Sequence, residues 1–184
     1  QRSPNSVPCS PKRNMPLSLL ASITRCLYQN RMMVAEYASL SSGYKERLLS
    51  PLALVNDGLR WHIRCFDHEH REYRDYNLAR FNKVNEGNPS DVSLEGDVEW
   101  NSEVVLQLVP HPKATHPETI CVDYDITEDV KCVSLRACLI GYFLSHWHID
   151  CSDTASGDPM AQHLFLKNKV ELMHYKPARW ALNS

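Results

Sequence analysis

Three arginines, a histidine, a tyrosine and a serine stand where strand-like stretches could gather them around a phosphate. They are Tyr37, Ser39, His62, Arg64, Arg74 and Arg80. A guanidinium presents a planar fork of donors that matches phosphate oxygens, and tyrosine or histidine rings can stack on a base. Side chains alternate faces along a strand. His62 and Arg64 therefore share one face, as do Tyr37 and Ser39. Arg74 and Arg80 share a face if their strand runs unbroken. Arg47 is a weaker member of the set because it starts a strand beside a loop. The plainer alternative is structural: Arg74 precedes Asp75, and a surface ion pair contributes little. Trp61, between these residues, reads as core, because Leu59, Trp61, Ile63 and Cys65 alternate with the polar set.

Other chemistry finds less support. His146-Trp147-His148 with Asp150 and Cys151, and His68-Glu69-His70, contain metal-ligand types. On a helix His146 and His148 point apart, and His68 and His70 fall in a polar turn where solvated side chains are ordinary. No Gly-rich phosphate loop, no Gly-x-Ser-x-Gly and no paired-carboxylate pattern occurs, so the expectation is a non-enzyme with neither cofactor nor metal.

The elements that must position the candidate site follow from periodicity. Pro16 to Leu27 carries apolar residues at helical spacing, at Leu19, Leu20, Ile23, Cys26 and Leu27. Strands are expected over 33–39, 47–55, 59–66 and 73–77, the last running on into Leu78-Ala79-Arg80-Phe81. Asn56-Asp57-Gly58 is a strong hairpin turn. One helix followed by four closely spaced strands implies a small twisted barrel. Glu86 to Gly96 reads as a boundary. Beyond it, strands are expected over 102–109 and 119–124, a helix over 135–147 and a last strand over 161–166. The second half is thus a small α/β unit.

Composition agrees with a globular, water-facing chain. Of 184 residues 43% are hydrophobic and 23% charged, and the net charge of −2 excludes a surface that is basic throughout. The first 14 residues hold three prolines and read as a linker or loose arm. Seven scattered cysteines without a Cys-x-x-Cys pair, behind a polar N-terminus, fit reduced thiols in a cytoplasmic protein. No apolar stretch approaches the roughly 20 residues of a membrane-spanning helix.

The stretch from Leu49 to Asp67, with Tyr73 to Phe81, resembles the WYL domain, a bacterial effector module with an Sm-like barrel. The matching features are Glu36-Tyr37-x-Ser39, the Pro51 strand, the triplet Trp61-His62-Ile63, and Arg74 and Arg80 flanking the fourth strand. The family triplet is Trp-Tyr-Leu. The Trp-His variant resembles a subgroup of regulators found in phage-defence islands. Pro110-His111-Pro112, Asp123-Tyr124 and Leu135-Arg136 resemble that subgroup's C-terminal extension.

The resemblance implies an α+β protein: a WYL ligand-sensing barrel over 15–85, a linker over 86–98 and a dimerising extension over 99–184. It implies a transcriptional regulator whose pocket takes a nucleotide or short oligonucleotide. It also implies a homodimer that reaches operator DNA through an N-terminal winged helix-turn-helix. About 14 polar residues precede the first helix, too few for such a domain, so a fragment or a stand-alone sensor is expected. The alternatives are a stand-alone Sm-like module for RNA or single-stranded DNA, and a dimerisation scaffold that senses nothing. Val104, Val105, Leu106, Leu108, Ile120, Leu139, Ile140, Phe143, Leu164 and Phe165 look generous for one small unit, which would leave some to meet a two-fold mate.

Overall fold

A computed structural model describes residues 15–176 and Leu182. The expected arm at 1–14 lies outside the described residues. The chain divides into two compact units, one of residues up to 55 with 61–91, the other of 56–60 with 92–184. Each has its own apolar core.

The first unit opens with α1 (Leu17–Tyr28), which buries Ile23 and Cys26, the three-residue spacing of one helical face. Five antiparallel strands follow: β1 (Arg31–Ser39), β2 (Gly43–Asn56), β3 (Trp61–Asp67), β4 (Glu72–Asn77) and β5 (Phe81–Pro89). Their order in the sheet is β4-β3-β2-β1-β5, so β4 and β5 are opposite edges although only a 3-10 turn, Leu78–Arg80, joins them. A flat sheet would hold these edges about 19 Å apart at ~4.8 Å per strand. The connection reaches about 14 Å at most. The sheet must therefore curl, and the small barrel follows from connectivity. Met33, Ala35 and Tyr37 of β1 face inward with Leu49, Ile63, Cys65, Tyr76 and Phe81.

Three expectations for this unit need correction. The fourth strand does not run on through Arg80. Asn77 accepts a hydrogen bond from the Ala79 amide and starts the 3-10 turn, so Arg74 and Arg80 are not on one continuous strand. A fifth strand occupies 81–89, where polar outward residues conceal an edge strand and the boundary had been expected from Glu86. Trp61 is not core: it is 53% exposed, whereas Ile63 is fully buried. The β3–β4 pairing ends at His62 opposite Asn77, so no β4 residue lies beside Trp61 to cover it. The Asn56-Asp57-Gly58 turn forms as expected, with Gly58 at φ +89° and the Asp57 carboxylate accepting from the amides of Leu59 and Arg60.

The second unit holds α2 (Val98–Asn101), β6 (Glu103–Pro110), α3 (Pro117–Tyr124), β7 (Lys131–Arg136), α4 (Ile140–His146), β8 (Leu164–Leu166) and α5 (Lys169–Leu172). Its sheet runs β7-β6-β8, antiparallel throughout. The segment expected as a strand at 119–124 is helix α3, started by Pro117 at its first position and ended by Asp125 in the left-handed region. Leu135 belongs not to a helix but to β7, whose odd positions are half-buried and even positions exposed. Val104, Leu106, Leu108, Ile120, Ile140 and Leu164, expected in part to await a partner, instead build this unit's own core. Among the described residues, no helix is long and apolar enough to cross a membrane.

Candidate functional site

The β3–β4 register decides which candidates meet. Arg64 stands opposite Asp75 and His62 opposite Asn77, while Arg74 stands opposite Cys65 and Glu72 opposite Asp67. Cys65 and Tyr76 face the core, so Arg74 shares the inward face. Arg64 and His62 occupy the other. The inward face also holds Tyr37 and, through the β1–β2 register that sets Ala35 opposite Arg47, Arg47. Tyr37, Arg47 and Arg74 are thus on one face and His62 and Arg64 on its reverse. Ser39 sits at the far end of β1, opposite Gly43, where its hydroxyl meets Ser41. Arg80 closes the 3-10 turn and is half-buried.

Burial separates the arginines further. Arg64 has only 2% of its side chain exposed and contacts Asp75, itself 8% exposed, at 3.3 Å. Tyr37 is buried between the rings of Tyr76 and Phe81, at centroid distances of 4.9 and 5.0 Å, and its hydroxyl accepts from the Asn77 amide. These two side chains hold the barrel together. Arg74 is different. Its side chain is 41% exposed, it pairs with Glu72 and it approaches Asp67 at 4.0 Å. Arg47 pairs with the exposed Glu69 at 2.5 Å. Both guanidinium groups lie at the β3–β4 hairpin end of the inner face, held by carboxylates that water reaches.

Asp67 organises that end, and sequence reasoning passed over it as part of a solvated turn. Its carboxylate is fully buried and accepts from the Glu69 and His70 amides on one oxygen, and from Tyr76 Oη and His70 Nδ1 on the other. The available signal was an Asp two and three residues ahead of turn amides that need an acceptor. Burial alone would raise this carboxyl, but the hydrogen bonds from Tyr76 and His70 outweigh it and hold the pKa below the ordinary range. Burial, and then the bond to Asp67, push Tyr76 well up. Asp67, Glu69 and His70 also bring ligand atoms within 4.8 Å of one another. Both Asp67 oxygens are already engaged, however, and Arg47 and Arg74 supply the positive charge. The cluster is neutralised from within.

Asp67 in the first unit and Asp150 in the second both have carboxyls held below their ordinary value; for Asp150, amides of Ser152 and Gly157 and the His111 ring outweigh the opposing effect of burial. A carboxyl lowered on folding stabilises above its unfolded pKa of about 3.9, and that contribution fades as pH falls through the folded value. The urea midpoint of the chain is expected to change little from pH 7 to 5 on account of these groups and to fall steeply below about pH 4. A midpoint as high at pH 3 as at pH 6 would contradict this.

The chain thus combines a curled sheet with one helix and an arginine-bearing rim, followed by a separate α/β unit. Residues 18–86 match the WYL domain and residues 103–172 match the C-terminal dimerization domain of the BrxR transcriptional regulator. The chain therefore carries a WYL domain followed by a BrxR-type dimerization domain. The DNA-binding transcriptional repressor CapW of Escherichia coli (strain KTE188) is 30% identical over 164 residues, 87% of this chain and 54% of the relative. CapW of Stenotrophomonas maltophilia is 31% identical over 172 residues, 90% of this chain and 56% of the relative. The chain spans about half the length of these relatives. Among solved structures, proteasome accessory factor B/C of Arthrobacter aurescens is similar over 91% of this chain and 26% of that one, at 16% identity and a TM-score of 0.40.

Proposed function

We propose that this chain is the ligand-sensing and dimerising part of a cytoplasmic DNA-binding transcriptional repressor. The observation that carries the reading is that homology to repressors runs through both units together, at 87–90% of this chain. The barrel senses; the second unit pairs two copies, so that two DNA-binding parts meet a two-fold operator.

For the ligand, the reading narrows the expected set of seven side chains. Arg74, 41% exposed and with Arg80 nearby in sequence, is the cation that a phosphate-bearing ligand reaches from water, while Arg47, only 10% exposed, stands behind the exposed Glu69. Exposed arginine–carboxylate pairs contribute about 0–1 kcal/mol. Exchanging Glu72 on Arg74 for a nucleotide or oligonucleotide phosphate therefore costs little, and each charge-assisted bond returns about 1.5–3 kcal/mol. Arg64 and His62 on the reverse face, Tyr37 packed in the core and Ser39 at the far end of β1 do not grip the ligand in this reading.

Calorimetric titration with a panel of nucleotides and short single-stranded oligonucleotides tests this. Arg74→Ala is expected to weaken binding about tenfold or more while leaving the melting temperature within a few degrees, whereas Arg47→Ala should weaken binding and also lower stability, because that side chain is largely buried. Binding unaffected by both substitutions, or no binding by any member of the panel, removes the phosphate-sensing reading.

A further inference from the structure

We infer that the outer edge of β7 is the seam through which two copies of this chain join their sheets, antiparallel and centred on Ser134. The inference rests on the dimerising role proposed above and assigns it a surface.

Strand edges carry unpaired amides and carbonyls that proteins normally cover or guard. Among the described residues, the second unit covers all but one of its edges. Along β8, Asp150 closes the outside, donating its amide to Leu164 and accepting from the Leu166 amide. Beyond β8, the exposed flank of β6 is closed by Asn168 and Lys167. The Asn168 carboxamide accepts from the Gln107 amide and donates to the Val105 carbonyl, while the Lys167 amide donates to Gln107 O.

The outer edge of β7 has no such cover among the described residues. The Ala137 amide bonds to Ser102 O on the β6 side. Backbone direction alternates along a strand, so Leu135, Val133 and Lys131 also turn toward β6. The amides and carbonyls of Cys132, Ser134 and Arg136 therefore point outward.

The usual guards are missing as well. The β6–β7 register runs from Glu103–Arg136 to Leu108–Lys131 without a bulge, and β7 contains no proline. Its two basic side chains are folded back onto their own unit. Lys131 Nζ donates to the Tyr124 carbonyl at 2.7 Å, and Arg136 stacks 4.8 Å from the Trp100 ring and donates to the Trp100 carbonyl. An uncovered, unguarded edge in a unit that matches a dimerization domain fits a second copy of itself.

Two-fold pairing about Ser134 uses every open group, because Cys132 then faces the partner's Arg136 and Ser134 faces its own counterpart. On the core side Val133 meets Leu135 of the other copy. Both pack half-buried against the apolar core, which the joined sheet would extend.

The test uses the whole chain at micromolar concentration. Ser134→Cys in a Cys132→Ser background places two thiols across a hydrogen-bonded pair, with Cα atoms about 5.5 Å apart, inside the span of a disulfide. Mild oxidation should convert it to a covalent dimer, at least about tenfold more than the Cys132→Ser parent. Ser134→Lys should weaken the dimer about fivefold by setting like charges face to face, and mixing it with Ser134→Glu should restore association. A wild-type dimer that neither cross-links at position 134 nor responds to these charges overturns the seam while the dimerising role stands. A monomeric wild type overturns both.

Discussion

Asp150→Ala is expected to lower the stability of the second unit by about 3–5 kcal/mol, the cost of breaking a buried polar pair from one side. Asp150 and His111 are almost entirely buried, and His111 Nε2 lies 2.9 Å from the carboxylate. The same carboxylate accepts from the amides of Ser152 and Gly157. Its backbone also bridges to β8, so a single residue ties the loop after β6 to the 150–162 loop and both to the sheet. Removing the side chain strands three donors, each costing about 1–3 kcal/mol if water does not replace the acceptor. Asp150→Asn should not rescue the site, because its amide would turn a donor toward other donors. Hydrogen exchange is the suitable readout, since the chain has two cores and one melting curve mixes them. Protection should fall across 103–172 and persist across 18–86. A loss below about 1 kcal/mol would mean that the loop rehydrates freely and that the pair is not holding it.

Arg64→Ala and Arg74→Ala should behave as opposites although both arginines flank the same hairpin. For Arg64→Ala the expected loss is again about 3–5 kcal/mol, because Asp75 is left charged and buried. Arg74→Ala, on a water-reached pair, should cost under about 1 kcal/mol and act on ligand affinity instead. Replacing both partners, as Arg64→Met with Asp75→Leu, should recover much of the stability, since an apolar pair of similar volume avoids desolvating two charges. Urea denaturation of the single and double variants checks this. Equal stability losses for Arg64→Ala and Arg74→Ala would mean that both arginines are structural and that the rim has no spare cation for a ligand.

These contrasts mark where reading along the chain succeeds. Local information specifies α1, through the spacing of Ile23 and Cys26, and the Asn56–Gly58 turn, through side-chain oxygens that satisfy nearby amides. Alternation specifies the inward side of β1 and of β3 from Ile63 onward, because the period of two is a property of the backbone itself. The resemblance of 49–81 to a known domain rests on the same local patterns. Each of these depends on residues within one or two turns of chain.

What pairs with what is not local, and there the tertiary structure decides. Periodicity cannot say that β4 stops opposite His62, so it buries Trp61 where β4 does not reach. It cannot say that a 3-10 turn separates Arg74 from Arg80. Nor can it set Arg64 and Arg74 on opposite faces, which is a matter of register. The apolar residues at 104–108 and 120 read equally as core or interface until the helices that cover them are placed. Residue types and strand periods are written in the sequence of this protein. Which arginine faces water, and which strand edge is left open, depends on contacts between segments far apart in the chain, where burial converts the same guanidinium from a ligand hand into a structural clasp.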